Sequence, residues 1–159
     1  MLTLRYDVVD ATERARLRAA LDAAGWEQRE IADRFRLSTG TLEDPLIERL
    51  VALATSVTGA PLQHRDHEWL RLMHGDYQLM KGDALTRPRE PHVELIADLS
   101  AAATGEAEIF YSDGRVVPQL PGVVTVLDRD GALLRWQRYI TQRVGGAAVY
   151  RLLVTLVPA

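Results

Sequence analysis

The chain has 159 residues, 47% of them hydrophobic and 26% charged, with a net charge of −3 and no cysteine. The acidic balance argues against a general nucleic-acid binder, because phosphate contacts need a basic surface. Without cysteine, disulfides and thiolate metal sites are excluded, which fits a reducing cytoplasm, and no apolar run approaches the roughly 20 residues that span a bilayer. We expect a cytoplasmic protein with no membrane partner. Its single domain over residues 1–159 comprises a strand with supporting helices (1–61) and a β core (62–159).

The first part of the chain carries clear helix boundaries. Residues 2–9 are rich in β-branched and aromatic side chains and predict a strand. Asp10 then begins a capping-box pattern, and the apolar stripe that follows ends at Gly25. A second helix is predicted from Asp44, which stands before a proline suited to the first helical position, to Gly59. Both helices are amphipathic covers for the β core.

From about residue 66 the apolar residues alternate, which is typical of strands. The predicted strands are 67–79, 92–99, 107–112, 123–128, 133–142 and 147–157. Because turn signals and no helices separate them, they predict an antiparallel sandwich or barrel. The fold class is therefore mainly β with N-terminal helices (α+β). The long apolar last strand either closes the sheet or pairs with a copy of itself in a homodimer.

Residues 29–42 read like a helix-turn-helix. Arg36 stands where the turn favours glycine, and Pro45 cuts the second helix short. Together with the acidic charge, these features lead us to expect no nucleic-acid partner.

Histidine and carboxylate pairs are the first candidates for a metal site. His74 and Asp76 have a His-x-Asp spacing, and His92 and Glu94 have a His-x-Glu spacing. A His-x-Asp pair with one distant histidine forms the facial triad of non-haem Fe(II) oxygenases. No histidine follows His92, so a late strand cannot supply the third ligand. One candidate metal site is therefore His74, Asp76 and His92.

The stretch 62–83 resembles the 2-oxoglutarate/Fe(II)-dependent dioxygenases of the prolyl-hydroxylase type. Gly75-Asp76-Tyr77 matches their aromatic-Gly-Asp phrase, after which their metal pair falls on Lys81-Gly82-Asp83. HVELIADLSAAATGEAEIFYSDG and VVPQLPGVVTVLDR are similar, in the same order, to later strands of the family. The resemblance implies a double-stranded β-helix, or jelly-roll, core supported by two or three helices.

On this resemblance the metal site is degenerate. Lys81 stands at the first histidine, Asp83 retains the carboxylate, and Arg138 stands at the distal histidine, or Arg135 on a shifted register. Neither a protonated lysine nor an arginine can bind Fe(II). Strand alternation places Arg138 on an inward face among apolar residues. We therefore expect a charge cluster of Lys81, Asp83 and Arg138 where the family holds its metal.

Arg151 matches the basic residue with which the family binds the C5 carboxylate of 2-oxoglutarate. A guanidinium suits a carboxylate, although the usual Arg-x-Ser reads Arg151-Leu-Leu153 here. Arg151 is equally explained by a structural ion pair. The sequence predicts a non-catalytic binding module for a small carboxylate at Arg151 and Arg138, or for a protein partner, with no cofactor. The alternative is an active oxygenase that uses Fe(II) and 2-oxoglutarate, with the ligands His74, Asp76 and His92.

Overall fold

The computed structural model describes residues 1–30, 33–40, 42–79, 90–103, 107–129, 133–140 and 148–159. Its helices are α1 (Ala11–Ala24) and α2 (Pro45–Thr58). Its strands are β1 (Leu2–Arg5), β2 (Trp26–Arg29), β3 (Phe35–Ser38), β4 (Leu62–Leu72), β5 (His92–Asp98), β6 (Ile109–Tyr111), β7 (Val116–Val117), β8 (Val124–Arg129), β9 (Arg135–Gln137) and β10 (Val149–Pro158).

Both predicted helices begin and end where their capping residues indicate. The Asp10 carboxylate accepts the Glu13 backbone N–H at 2.8 Å before α1, and Asp44 accepts the Leu46 N–H at 3.0 Å before α2. Gly59 ends α2 in the left-handed conformation, at φ 71°. Among the described helices, none is long and apolar enough to cross a membrane.

The strands form two antiparallel sheets with a jelly-roll arrangement. The main sheet has seven strands in the order β1-β8-β5-β10-β4-β3-β2, and the smaller sheet has three in the order β7-β6-β9. β10 lies inside the main sheet and pairs with β4 on one side and β5 on the other. The last strand therefore closes the sheet, which is one of the two predicted alternatives, and the homodimer stays a prediction.

The main sheet separates two apolar clusters. On one face, buried side chains of the central strands pack against α1 and α2 through residues such as Leu17, Leu50 and Leu152. The other face packs against the smaller sheet through residues such as Ile109 and Leu153. Since successive side chains in a strand point to opposite faces, every second residue of β5, β8 and β10 points between the two sheets. We call this space the barrel interior.

A glycine turn holds the N-terminal segment against the main sheet. The Gly122 carbonyl accepts the Val8 N–H at 3.0 Å, and the Gly122 N–H donates to the Asp98 carbonyl at 2.8 Å. A Cβ on Gly122 would lie 2.7 Å from the carbonyl oxygen of Val9, and φ is +82°. Only glycine fits this position without a shift of the backbone.

Several predicted elements differ from the observed ones. Residues 29–42 contain no helix in the part that the structure describes, because β2 and β3 form an antiparallel pair that joins the main sheet through β4. The helix-turn-helix interpretation is therefore wrong. Within the described residues 133–140, the strand predicted at 133–142 is β9. The strand predicted at 67–79 is β4, which begins at Leu62.

Candidate functional site

Among the described residues, five charged side chains from four strands are buried on the barrel-interior side of the sheets. Each is at most 4% exposed. They are Glu94 and Asp98 of β5, Arg129 of β8, Arg135 of β9 and Arg151 of β10. Buried charges at this density are costly unless they are paired and hydrogen-bonded, so their partners decide what the site can do.

Glu94 is the centre of one set of contacts. Its Oε2 lies 2.6 Å from Nη1 of Arg129, and its Oε1 lies 3.4 Å from Nε of Arg135. The Tyr111 hydroxyl donates to Oε1 at 3.3 Å. Burial and the neighbouring Glu94 charge together raise the pKa of Tyr111, so its phenol stays protonated. Glu94 is thus fully engaged by protein donors.

Arg151 has a very different environment. Its Nη2 donates to the Ala107 carbonyl at 2.7 Å, whereas its buried Nε and Nη1 have no hydrogen-bond partner among the described residues. Burial lowers the pKa of Arg151 to about 10, and the nearby Arg135 charge acts in the same direction. Asp98, which lies opposite Arg151 on β5, acts against this shift. At neutral pH Arg151 therefore presents a buried cation with N–H groups that lack acceptors.

At the distal ligand position the buried side chain is that of Arg135, the residue given by the shifted register. Arg135 and Gln137 are buried, whereas Arg138 is exposed and its guanidinium lies 5.3 Å from the centre of the Phe110 ring. Trp136 stacks on Phe110, with ring centres 5.7 Å apart, on the same outer face. The predicted inward position of Arg138 is therefore wrong, and with it the place of Arg138 in an interior charge cluster or anion site. Lys81 and Asp83 lie outside the described residues.

The structure does not bring His74, Asp76 and His92 together. Leu72 lies opposite Val149 and Val93 lies opposite Leu156. The strand ends next to His74 and His92 are therefore about 23 Å apart along β10, at about 3.3 Å per residue. Among the described residues, no group of three or more histidine, aspartate or glutamate side chains could hold a metal ion.

Asp76 has a structural environment. Its side chain is fully buried, with Oδ2 2.9 Å from Nη1 of Arg36 and 2.8 Å from the backbone nitrogen of Met73. Oδ1 lies 3.4 Å from Nε of Arg34. The carboxylate thus fixes the turn after β4 to β3 and is paired with two arginines.

Asp98 and Arg129 are interior residues that the sequence analysis does not single out. The signal is present in HVELIAD, where Glu94, Ile96 and Asp98 share one strand face. Charged residues on a face that also carries buried apolar residues indicate an interior polar site. The sequence alone does not show which face of β5 meets the helices and which meets the smaller sheet.

Comparison with known proteins supports the fold and leaves the activity open. No protein-family model and no curated protein matches the sequence. The viral collagen prolyl hydroxylase of Paramecium bursaria Chlorella virus-1, solved as its 2OG complex, has a TM-score of 0.65 and 13% identity, covering 97% of this chain and 95% of its own. An oxidoreductase of the 2OG-Fe(II) oxygenase family from Burkholderia pseudomallei has a TM-score of 0.68 and 17% identity, covering 98% and 84%. HygX from Streptomyces hygroscopicus, solved with nickel and 2-oxoglutarate, has a TM-score of 0.65 and 14% identity, covering 99% and 83%.

These neighbours confirm the predicted resemblance in structure to 2-oxoglutarate/Fe(II)-dependent oxygenases of the prolyl-hydroxylase type. They also contradict one prediction. The prediction that the protein takes no cofactor is contradicted. Neighbours with this fold are solved with 2-oxoglutarate and, in one case, with nickel.

Proposed function

We propose that this protein binds a small carboxylate of the 2-oxoglutarate class in the barrel interior, with Arg151 as its anchor. The observation that carries the proposal is the buried Arg151 guanidinium, whose Nε and Nη1 have no acceptor. A carboxylate offers two acceptor oxygens and a full negative charge, which match a guanidinium in geometry and in sign.

The charges around Arg151 favour an anion. Among the described residues of the interior, three guanidinium groups face two carboxylates. Glu94 is already engaged by Arg129 and Arg135. An added carboxylate at Arg151 would interact strongly with its guanidinium, because the surrounding protein screens charge poorly there.

The described residues do not fit the three-ligand iron site expected from the resemblance. The inward positions of β9 hold Arg135 and Gln137, and a guanidinium cannot donate a lone pair to Fe(II). His74, Asp76 and His92 are too far apart to replace that set, so they do not support the active alternative. We therefore propose binding as the function of this interior and derive no oxidation step.

Titration calorimetry with 2-oxoglutarate tests the proposal, and Arg151→Met is the informative variant. We expect one carboxylate to bind per chain, and Arg151→Met to weaken binding at least about thirtyfold, because truncating one partner of a buried charge pair costs several kcal/mol. Arg138→Met is the matched control. It removes the same side chain from the outer face and is expected to leave the affinity unchanged.

Two results would overturn the proposal. One is that calorimetry detects no heat of binding with 2-oxoglutarate, succinate or malonate at millimolar concentration. The other is an equal loss of affinity in the Arg138 and Arg151 variants. Release of succinate from 2-oxoglutarate in the presence of Fe(II) would show that the interior does more than bind.

A further inference from the structure

A cavity lies at the other end of the main sheet from Arg151. It has a volume of about 840 Å³ and forms where α2 ends, β4 and β5 begin and β10 ends. Its apolar walls include Leu62, Val93, Leu133 and Pro158. Arg151 and Leu156, which lies opposite Val93, are separated by about 17 Å along β10. The cavity is therefore distinct from the proposed carboxylate site, and its size is that of a small-molecule pocket.

His92 gives this cavity one unused polar atom. The side chain lines the cavity and is only 6% exposed. Its Nδ1 lies 2.9 Å from the Glu90 carbonyl oxygen, which can only accept, so Nδ1 carries the hydrogen. Its Nε2 is buried and has no hydrogen-bond partner in the part of the chain that the structure describes. In the neutral ring, Nε2 is then an acceptor without a donor, a state that costs free energy until a ligand or water supplies one.

The charged groups that line the cavity already have partners or water. Arg129 is held by Glu94 at 2.6 Å and donates to the Leu133 carbonyl. Nε of Arg115 lies 2.6 Å from Oδ2 of Asp113. The Asp128 side chain is 51% exposed at the rim. Among the described lining residues, the cavity therefore offers apolar walls, charged groups that are paired or exposed, and a buried acceptor at Nε2 of His92.

We propose that this cavity binds a neutral, mostly apolar small molecule that carries one hydroxyl or N–H group, which donates to Nε2 of His92. The apolar body covers the walls formed by Leu62, Val93 and Leu133. The single hydrogen bond fixes its orientation. The site is independent of the carboxylate site and does not rest on the function proposed for Arg151.

Three probes of one shape test the proposal: p-cresol, toluene and p-toluate. They share a methylated ring and differ in carrying a hydroxyl donor, no polar group or a carboxylate. We expect p-cresol to bind with a dissociation constant on the order of 1 mM, as suits a ligand of its size. We expect toluene to bind about fivefold more weakly, since it lacks one net hydrogen bond. p-Toluate should bind most weakly.

Two measurements locate the effect on His92. The ¹⁵N shift of its Nε2 should move when p-cresol is added and stay fixed with toluene. In His92→Phe the preference for p-cresol over toluene should disappear, while His74→Phe, at the far end of the sheet, should retain it. Equal affinities for p-cresol and toluene in the unmodified protein would overturn the proposal. So would tighter binding of p-toluate, no binding of any probe, or an Nε2 shift that does not respond to p-cresol.

Discussion

The guanidinium of Arg151 donates to one protein acceptor, the Ala107 carbonyl, and is buried on all sides. Its pKa falls to about 10 because burial penalises the charged form more than Asp98 favours it. A guanidinium whose pKa is lower in the folded state binds its proton less tightly there than in the unfolded chain. The free energy of unfolding should therefore rise as the pH increases above about 10, where the unfolded state still binds the proton and the folded state releases it.

Arg151→Met should consequently leave the folded protein at least as stable as the unmodified one. Replacing a buried charge by an apolar side chain of similar length removes the free-energy cost of burying that charge. The lowered pKa of Arg151 corresponds to a cost of up to about 3 kcal/mol at neutral pH. Urea denaturation without ligand measures the change, with Arg138→Met as the surface control. A loss of more than about 1 kcal/mol would mean that Arg151 is satisfied within the protein and is a structural ion-pair partner.

Arg135 of β9 and Arg138, which follows it, show where the sequence stops being informative at this scale. Trp136 and Arg138 share one strand face, and a tryptophan usually indicates the interior. Here Trp136 stacks on Phe110 outside the barrel, so Arg135 is the buried residue. A strand of three residues has too few alternations to fix its own orientation, and a shift of one residue exchanges the two faces. Arg151 lies in a ten-residue strand, and its inward position is determined by pairing on both sides.

At the scale of secondary-structure elements, Asp44 at the N-terminus of α2 pairs with Arg16 of α1. Asp44 accepts the Leu46 N–H with Oδ1, and its Oδ2 lies 2.9 Å from Nη1 of Arg16 on α1. Burial raises the pKa of Asp44, but the Arg16 and Leu46 hydrogen bonds outweigh burial and leave the pKa below 3.8. The carboxylate thus both caps one helix and ties it to the other.

Asp44→Asn separates these two roles, because asparagine keeps the capping oxygen and loses the charge. We expect a loss of roughly 1 kcal/mol in the free energy of unfolding at neutral pH. A carboxyl group with a lowered pKa stabilises the folded state above its unfolded pKa of about 3.9, and this contribution is lost as the pH falls through the folded value. The difference between the two proteins should therefore shrink below about pH 4.

Asp10→Asn is the control for this experiment. Asp10 caps α1 by accepting the Glu13 N–H, and its side chain is exposed. The same substitution there should change stability by less than about 0.5 kcal/mol. If both variants lose the same stability at every pH, the Arg16 contact contributes nothing measurable to the fold.

The helices and the short strands differ in how far the sequence determines them. Asp10, Asp44 and Gly59 are local signals, since each satisfies backbone groups within its own helix end, and the predicted boundaries agree with the structure. β2 and β3 carry no clear alternation. They are strands because β3 pairs with β4 through Arg36 and Leu37. Pairing of this kind depends on a partner far along the chain, so residues 29–42 could be read as helical from the sequence alone.

At the scale of the whole molecule, β10 is the element that both halves of the structure share. Its even-numbered residues, including Leu152, pack towards the helices, and its odd-numbered residues, including Leu153, pack towards the smaller sheet. The two apolar clusters are thus opposite faces of the same strands. A change in either cluster must weaken the sheet on which the other also depends, and we expect the described parts of the chain to unfold together.

Leu152→Ala and Leu153→Ala test this expectation, since the two residues are adjacent and almost fully buried on opposite faces. Each should lower the free energy of unfolding by about 2–5 kcal/mol through lost burial and a cavity. The indole N–H signals of Trp69, which donates to Leu42 on the helix side, and Trp136, on the smaller sheet, report the two halves by NMR during a urea titration. In both variants the two signals should disappear at the same urea concentration. If Leu153→Ala moved only the Trp136 transition, the smaller sheet would unfold by itself, and the barrel interior around Arg151 could open without loss of the main sheet.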